Sequence, residues 1–322
     1  MKKLVKLVLM ALMSALVFSA VTAGSALAGT QTGPCGDKTE WEYNPEEHLL
    51  VIKGEGPVDD YDYNWFYNLT RDPYSQAPPW KGVLTEIETL RVEDGVTEIG
   101  DYAFQGAEKL KTIELGKSVT RLGMSCFDSC GMLESVNFPE SLKGIDVGCF
   151  RYSNALRNVT FPEGLVRIDG GAFYGSGLQR VILPSSLKVL GQNAFCECSE
   201  LEEIIVQDGL TVIDDYAFCR CPMIKKIVIP PSVKKFGKYV ISQFNGIMYG
   251  EKDSEAYTYY KQHLTATGNS SYEQIVYANF NPAEEGFTVP DGFKLSSGSQ
   301  IKAQNKEIGL WDGFMKLMAY SR

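Results

Sequence analysis

One phenylalanine recurs at positions 104, 127, 150, 173, 195 and 218, in steps of 23, 23, 23, 22 and 23 residues. A second apolar column keeps the same phase through Leu90, Ile113, Val136, Val159, Val181, Ile204 and Ile227. A third pairs Val96 with Ile99, Val119 with Leu122, Leu142 with Ile145, Leu165 with Ile168, Leu187 with Leu190, Leu210 with Ile213, and Val233 with Phe236. The one short step falls between Phe173 and Leu178, where G-S-G has lost a residue. A period this strict constrains the chain more than its composition does. No unit of this size can bury its own apolar face, so the units must stack, each against its neighbours only.

Each unit divides the same way. LKTIEL, LESVNF, LRNVTF, LQRVIL, LEEIIV and IKKIVI alternate apolar and polar residues, which predicts six short strands. Pro139, Pro162, Pro184 and Pro230 follow most of them, and proline cannot donate to a ladder, so it marks a strand boundary. The apolar pair comes next, then Gly100, Gly123, Asp146, Asp169, Gly191, Asp214 or Gly237, which turns the chain. DYAFQGA, MSCFDSC, VGCFRYS, GGAFYGS, QNAFCEC and DYAFCRC close the units as compact turns around one aromatic ring. The expected fold is a β-rich repeat solenoid of about seven coils with a parallel sheet on one face.

FPESLKGIDVGCFRYS and LPSSLKVLGQNAFCEC resemble the BspA-like family of bacterial leucine-rich repeats, whose pattern is roughly L-x-x-V-x-[IL]-P-x-[SG]-[VL]-x-x-I-G-x-x-A-F-x-x-C. CGDKTEWEYNPEEHLLVIKGEGPVDDYDY resembles the small β-rich cap that precedes such repeats, and IMYGEKDSEAYTYYKQHL the strand-helix unit that follows them. The resemblance covers about residues 35–264 and implies a leucine-rich-repeat solenoid of the kind found in surface proteins used for adhesion or protein binding. It carries no catalytic residues. The chain accordingly divides into a signal peptide (1–28), an N-terminal cap (29–85), the repeats (86–238), a C-terminal cap unit (239–264) and a tail (265–322) that matches nothing we can name and could dock on the solenoid.

The first segment has a cationic MKKLVK start, an apolar run, and Ala26-Leu27-Ala28 as small residues before a cleavage point. That is the layout of a secretory signal peptide. The run nearly reaches spanning length, so an uncleaved anchor is the other reading. No second stretch could span a bilayer. The product is expected to be exported, either secreted or held at the cell surface, and to be a monomer. Thirty-one Lys and Arg stand against 40 Asp and Glu, a formal charge of −9. A surface this acidic repels phosphate backbones, so nucleic acid is excluded as a partner. The two histidines, His48 and His263, leave no basis for multi-histidine metal sites.

The eight cysteines are Cys35, Cys126, Cys130, Cys149, Cys196, Cys198, Cys219 and Cys221. C-E-C and C-R-C, twenty residues apart, suggest a four-thiolate zinc site. The repeat offers a plainer account. The positions one before and three after each phenylalanine hold only Ala, Ser or Cys, as an inward position with little room would. The position one after holds Gln105, Asp128, Arg151, Tyr174, Cys196 and Cys219, and is expected to face solvent. Equivalent positions in adjacent coils lie roughly 5 Å apart. That puts Cys196 and Cys219 within disulfide reach. No metal and no other cofactor is expected.

Two regions could bind. Tyr61, Tyr63, Trp65 and Trp80, in YDYNWFYNLTRDPYSQAPPW, could stack on sugar rings or could simply cover the open end of the first coil. Along the strands an outward position changes from Arg91, Glu114, Asn137 and Thr160 to Ile182, Ile205 and Val228. Three adjacent β-branched residues on an outward face imply contact, with a partner or with the folded-back tail. A neighbouring column, Glu88, Lys111, Glu134, Arg157, Gln179, Glu202 and Lys225, mostly alternates in sign and reads as register support. G-x-S-x-G, H-E-x-x-H and phosphate-loop patterns are all missing, and the adjacent Asp59 and Asp60 do not make the pair flanking a bond that glycoside hydrolysis needs. The chain therefore reads as a non-catalytic module for an extracellular protein or glycan. The rival class is a carbohydrate-binding or hydrolytic protein with its site in residues 35–85 or in the tail.

Overall fold

The computed structural model describes residues 29–62, 76–242 and 244–264, together with the strand Ser271–Gln274. The tail expected over 265–322 and the candidate platforms Tyr63 and Trp65 lie otherwise outside the described residues, as does the signal segment.

The 23-residue period becomes a solenoid of about seven coils whose two strand positions build sheets running along its length. One sheet has eight strands and is unbroken from Gly56–Pro57 through Val96–Ile99, Arg121–Leu122, Gly144–Ile145, Arg167–Ile168, Val189–Leu190 and Val212–Ile213 to Lys235–Phe236. Its strands pair in parallel, with Ile99, Leu122, Ile145, Ile168, Leu190 and Ile213 in register and fully buried. The other strand position carries two sheets. The first runs from the antiparallel cap strands Gln31–Pro34, Thr39–Asn44 and Leu49–Gly54 into the parallel Thr89–Val92, Thr112–Glu114 and Ser135–Asn137. The second joins Arg180–Leu183, Glu203–Val206, Lys226–Ile229, Ile247–Gly250 and Ser271–Gln274, all parallel.

The interruption corrects the expectation of six strands from the six alternating segments. LRNVTF makes none: Asn158–Phe161 lies between the two sheets outside any ladder. The break coincides with two successive aromatic rings at the inner end of the strand position. The last inward position of each strand is Leu115, Leu183, Val206 or Ile229 elsewhere, but Phe138 and Phe161 here. These two rings stack on each other at 5.8 Å, and each meets the phenylalanine spine edge-on, Phe138 on Phe150 at 5.7 Å and Phe161 on Phe173 at 5.6 Å. Extra ring volume in a close-packed interior displaces backbone. Among the described residues one backbone hydrogen bond, Gln179 N–H to the Arg157 carbonyl at 2.9 Å, ties the strand position of this coil to the next. The missing residue after Phe173 falls in the same place, and a crevice of about 510 Å³ opens beside Phe138, Asn158 and Phe161.

The spine itself is continuous. Phe104, Phe127, Phe150, Phe173, Phe195 and Phe218 are wholly buried, and successive rings stack at 5.2–5.7 Å with interplanar angles of 4–17°. At one end Trp80 extends the stack, 4.8 Å from Phe104, and donates its indole N–H to the Ala103 carbonyl. Trp41 and Tyr61 close over Trp80 edge-on. At the other end the helix Glu255–His263, capped by Ser254, places Tyr259 over Phe236 at 4.9 Å. Of the alternating charge column, Lys111 pairs with Glu88 at 2.8 Å and Lys225 with Glu202 at 2.9 Å.

Candidate functional site

The turns around the spine carry a backbone feature that side-chain alternation does not reveal. The residue two before each phenylalanine, Tyr102, Ser125, Gly148, Gly171, Asn193 and Tyr216, is left-handed with φ between 50° and 65°, and Tyr239 continues the column at 50°. The residue two after is left-handed as well, through Gly106, Ser129, Tyr152, Gly175, Glu197 and Arg220. This alternation points every second N–H toward the next coil. Tyr102, Phe104 and Gly106 donate to the carbonyls of Met124, Cys126 and Asp128, each at 2.8 Å, and the pattern repeats coil by coil. The turns thus form a third ladder.

On the outside of this ladder runs a trough of about 620 Å³. Its floor is Gly148, Gly170 and Gly171, where neighbouring coils carry larger side chains. Tyr102 and Met124 wall one end, with the phenol donating to the Met124 sulfur at 3.0 Å. Tyr152 and Tyr174 form an aromatic side, their rings 5.6 Å apart and perpendicular. Gln192 and Asn193 close the far end and are shared with a second compartment of about 350 Å³, walled by Tyr174, Tyr216, Glu197 and Arg220. Met124, Val147, Tyr152 and Tyr239 are among the most exposed large apolar residues of the described chain. The charges here are internally matched. Arg151 lies over the Tyr152 ring and reaches down to the wholly buried Asp128, with Nη2 2.5 Å and Nε 3.2 Å from its carboxylate oxygens. Gln105 and Ser129 donate to the same carboxylate. Arg220 pairs with Glu197 at 2.6 Å.

The column one after each phenylalanine does not face solvent as expected. Gln105 and Asp128 are wholly buried, Cys196 and Cys219 retain 5% and 9% exposure, and only Arg151 and Tyr174 emerge in part. With both flanking turn residues left-handed, this side chain lies beneath the trough. Cys196 and Cys219 line the second compartment and carry free thiols, as do the other six cysteines. Burial first, and the neighbouring Cys219 second, push the Cys196 thiol up to about 12. Cys130, Cys198 and Cys221, three after the phenylalanine, donate to the Phe104, Phe173 and Phe195 carbonyls of the preceding coil. Cys126 and Cys149 meet at 3.4 Å. Among the described residues no group of three or more His, Cys, Asp or Glu could hold a metal ion.

The other sequence-derived candidates lie apart from the trough. Trp80 is wholly buried as the first ring of the spine and Tyr61 is 8% exposed against it, so neither presents a face to a ligand. Asp60 accepts the Asp101 N–H at 2.8 Å and so joins the cap to the first turn. The stripe of Ile182, Ile205 and Val228 is in register as expected but is not exposed: 7%, 1% and 0%. The same strand position is exposed at Arg91, Asn137 and Thr160, so the sheet alone does not bury it. Within the described residues no helix is long and apolar enough to cross a membrane.

The trough was missed because its signal is a column, Tyr-Ser-Gly-Gly-Asn-Tyr-Tyr, in which the Gly and Asn that announce a left-handed turn are outnumbered by residues that do not.

Among solved structures the chain is similar to a leucine-rich repeat protein from Eubacterium ventriosum, at 18% identity over 70% of this chain and 73% of that one, with a TM-score of 0.48. It is similar to a second from Bacteroides ovatus, at 19% identity over 68% and 61% with a TM-score of 0.40. A leucine rich cell surface protein from Faecalibacterium prausnitzii is similar at 18% identity over 71% and 78%, with a TM-score of 0.36. No curated protein matches. The model of the BspA type leucine rich repeat region matches in six copies over residues 83–195 and 125–248, more than half of the chain. With the 23-residue period, the phenylalanine spine and the parallel sheets, this makes the chain a member of the BspA-type leucine-rich repeat family.

Proposed function

We propose that this protein is an exported, non-catalytic interaction module that binds an extracellular protein or glycan through the outer side of its repeats. Membership of a repeat family of interaction modules supports the general class. The observation that carries the reading is the turn-face trough. Exposed rings and side-chain amides sit there on a scaffold whose backbone groups and buried charges are already satisfied by neighbouring coils. Exposed ring surface arranged in this way is what a binding site presents. The cationic and apolar start of the chain and its A-x-A site support export. An oxidising exterior makes Cys196 and Cys219 the pair proposed to join as a disulfide, since they occupy equivalent positions in adjacent coils.

The burial of Ile182, Ile205 and Val228 favours an intramolecular occupant over a partner for the sheet face. The test is saturable binding of the purified protein to a panel of extracellular matrix proteins, mucins and glycans, with each ligand recovered and analysed afterwards. Saturable binding with the ligand recovered intact is expected. Binding to none of them, or recovery of a cleaved ligand, would overturn the proposal.

A further inference from the structure

The trough itself narrows the ligand class. Tyr102, Tyr152, Tyr216 and Tyr239 hold left-handed backbone, with φ from 50° to 59°. A bulky residue there is strained, and such strain persists where surrounding structure imposes it and clusters at ligand-binding positions. Gly, Ser, Asn, Glu and Arg fill the same two columns elsewhere, so the fold does not require tyrosine. The tyrosines line or flank a channel whose glycine floor keeps it open.

Three properties define what fits. The faces offered are aromatic rings, which pack against apolar faces, and Gln192 and Asn193 add amides that both donate and accept. Charge is matched: both guanidinium groups at the channel are held by carboxylates, Arg151 by Asp128 and Arg220 by Glu197, on a chain of net charge −9. Neither a polyanion nor a cation finds an unmatched counter-charge there. Finally, the site repeats along its length. From Tyr102 to Asn193 there are four coil steps, about 20 Å at the ~4.8 Å spacing of adjacent strands. One pyranose ring advances a linear glycan by nearly the same distance, so successive sugars would meet successive coils in equivalent positions.

We infer that the turn-face trough is a subsite array for a neutral linear oligosaccharide, with Tyr152 and Tyr174 as sugar platforms and Gln192 and Asn193 as hydroxyl partners. This rests on the interaction-module reading and names the ligand of that site.

The test uses calorimetric titration of the purified protein with neutral linear hexasaccharides of glucose, mannose and N-acetylglucosamine, a sulfated hexasaccharide, and an extended uncharged peptide. Gly171→Tyr is the blocking variant. A Cβ there has its nearest neighbour, the Tyr174 Cβ, at 3.8 Å, and the column already carries tyrosine at the same φ in Tyr102 and Tyr216. Gly171→Asn, copying Asn193, serves if the tyrosine variant does not fold. The expected result is saturable binding of at least one neutral hexasaccharide, at least tenfold weaker in Tyr152→Ala and in the blocking variant, with the latter still unfolding cooperatively at a temperature lowered by left-handed strain. Tighter binding of the sulfated probe, or peptide binding lost on blocking while no neutral glycan binds, would overturn the assignment, as would glycan binding that blocking leaves unchanged. If protein ligands from the wider panel still bind the blocked variant while all the hexasaccharides fail, the trough assignment falls and the module reading stands. If nothing binds at all, both fall.

Discussion

Replacing Phe150 by alanine tests how the solenoid is held together. Phe150 is wholly buried, stacked between Phe127 at 5.4 Å and Phe173 at 5.2 Å, and met edge-on by Phe138 at 5.7 Å. Truncating a core phenylalanine costs about 3–5 kcal/mol, combining lost transfer energy with the cavity left behind. Each ring pair adds roughly 0.5–1.5 kcal/mol beyond area burial, and this residue has three. Rings on three sides, each held by its own coil, give the site little scope to collapse. The cost therefore belongs at the upper end, about 5 kcal/mol. A repeat array gains its cooperativity from neighbour interfaces, so loss at this interface should also uncouple the coils on either side. Urea unfolding of a Trp311→Phe background followed by tryptophan emission, which reports the N-terminal segment through Trp41, Trp65 and Trp80, and by circular dichroism, which reports all coils, would then give two separated transitions in place of one. A loss below about 1 kcal/mol with coincident transitions would place this ring outside the energetic spine and refute the reasoning.

Four further outcomes follow. Arg151→Ala strips the buried Asp128 of its fork and should cost about 2–3 kcal/mol by urea midpoint, less than the ~3–5 of a fully buried pair because water reaches the guanidinium. Unchanged stability would mean that Gln105 and Ser129 suffice. Burial raises the Cys35 thiol from the ordinary 9.0 to about 12, so the protonated form is favoured in the folded state. Stability is full below pH 9 and falls as the pH climbs from about 9 toward 12; Cys35→Ala should flatten that fall, and an identical pH profile in the variant would assign it elsewhere. Ile205→Asp, placed where the side chain is 1% exposed, is expected to make the chain beyond Leu264 protease-sensitive while the repeats persist. Unchanged proteolysis and stability would make the stripe incidental. Chelation should leave the melting temperature as it is; unfolding on chelation, with stoichiometric zinc recovered, would restore the four-thiolate reading of Cys196, Cys198, Cys219 and Cys221.

Periodicity made the repeat, the spine and the small inward columns legible, because a side chain that must pack against its own copy one coil away has few alternatives. Side-chain alternation does not report what the backbone conformation or local volume imposes. Alternation in LRNVTF is as regular as in its neighbours, yet Phe161 stacks on Phe138 of the preceding coil and this segment joins no ladder. The position after each phenylalanine varies freely in polarity, which mimics a solvent-facing column, but the left-handed residues around it turn that side chain beneath the trough. Cys130, Cys198 and Cys221 were read as small apolar filler; their sulfurs also donate to phenylalanine carbonyls. Ile182, Ile205 and Val228 lie in register in one sheet, but their side chains are buried where the alternation predicts an exposed face.

The proposed recognition surface is the row of turns, not the sheet or the cap. Amide hydrogen exchange of the purified protein, with and without a ligand that binds it saturably, addresses this directly. Added protection is expected in residues 147–152, 170–175 and 192–197, with exchange unchanged in 180–183, 203–206 and 226–229. Protection confined to those strands, or to residues 35–62 of the cap, with the turns unaltered, would contradict it.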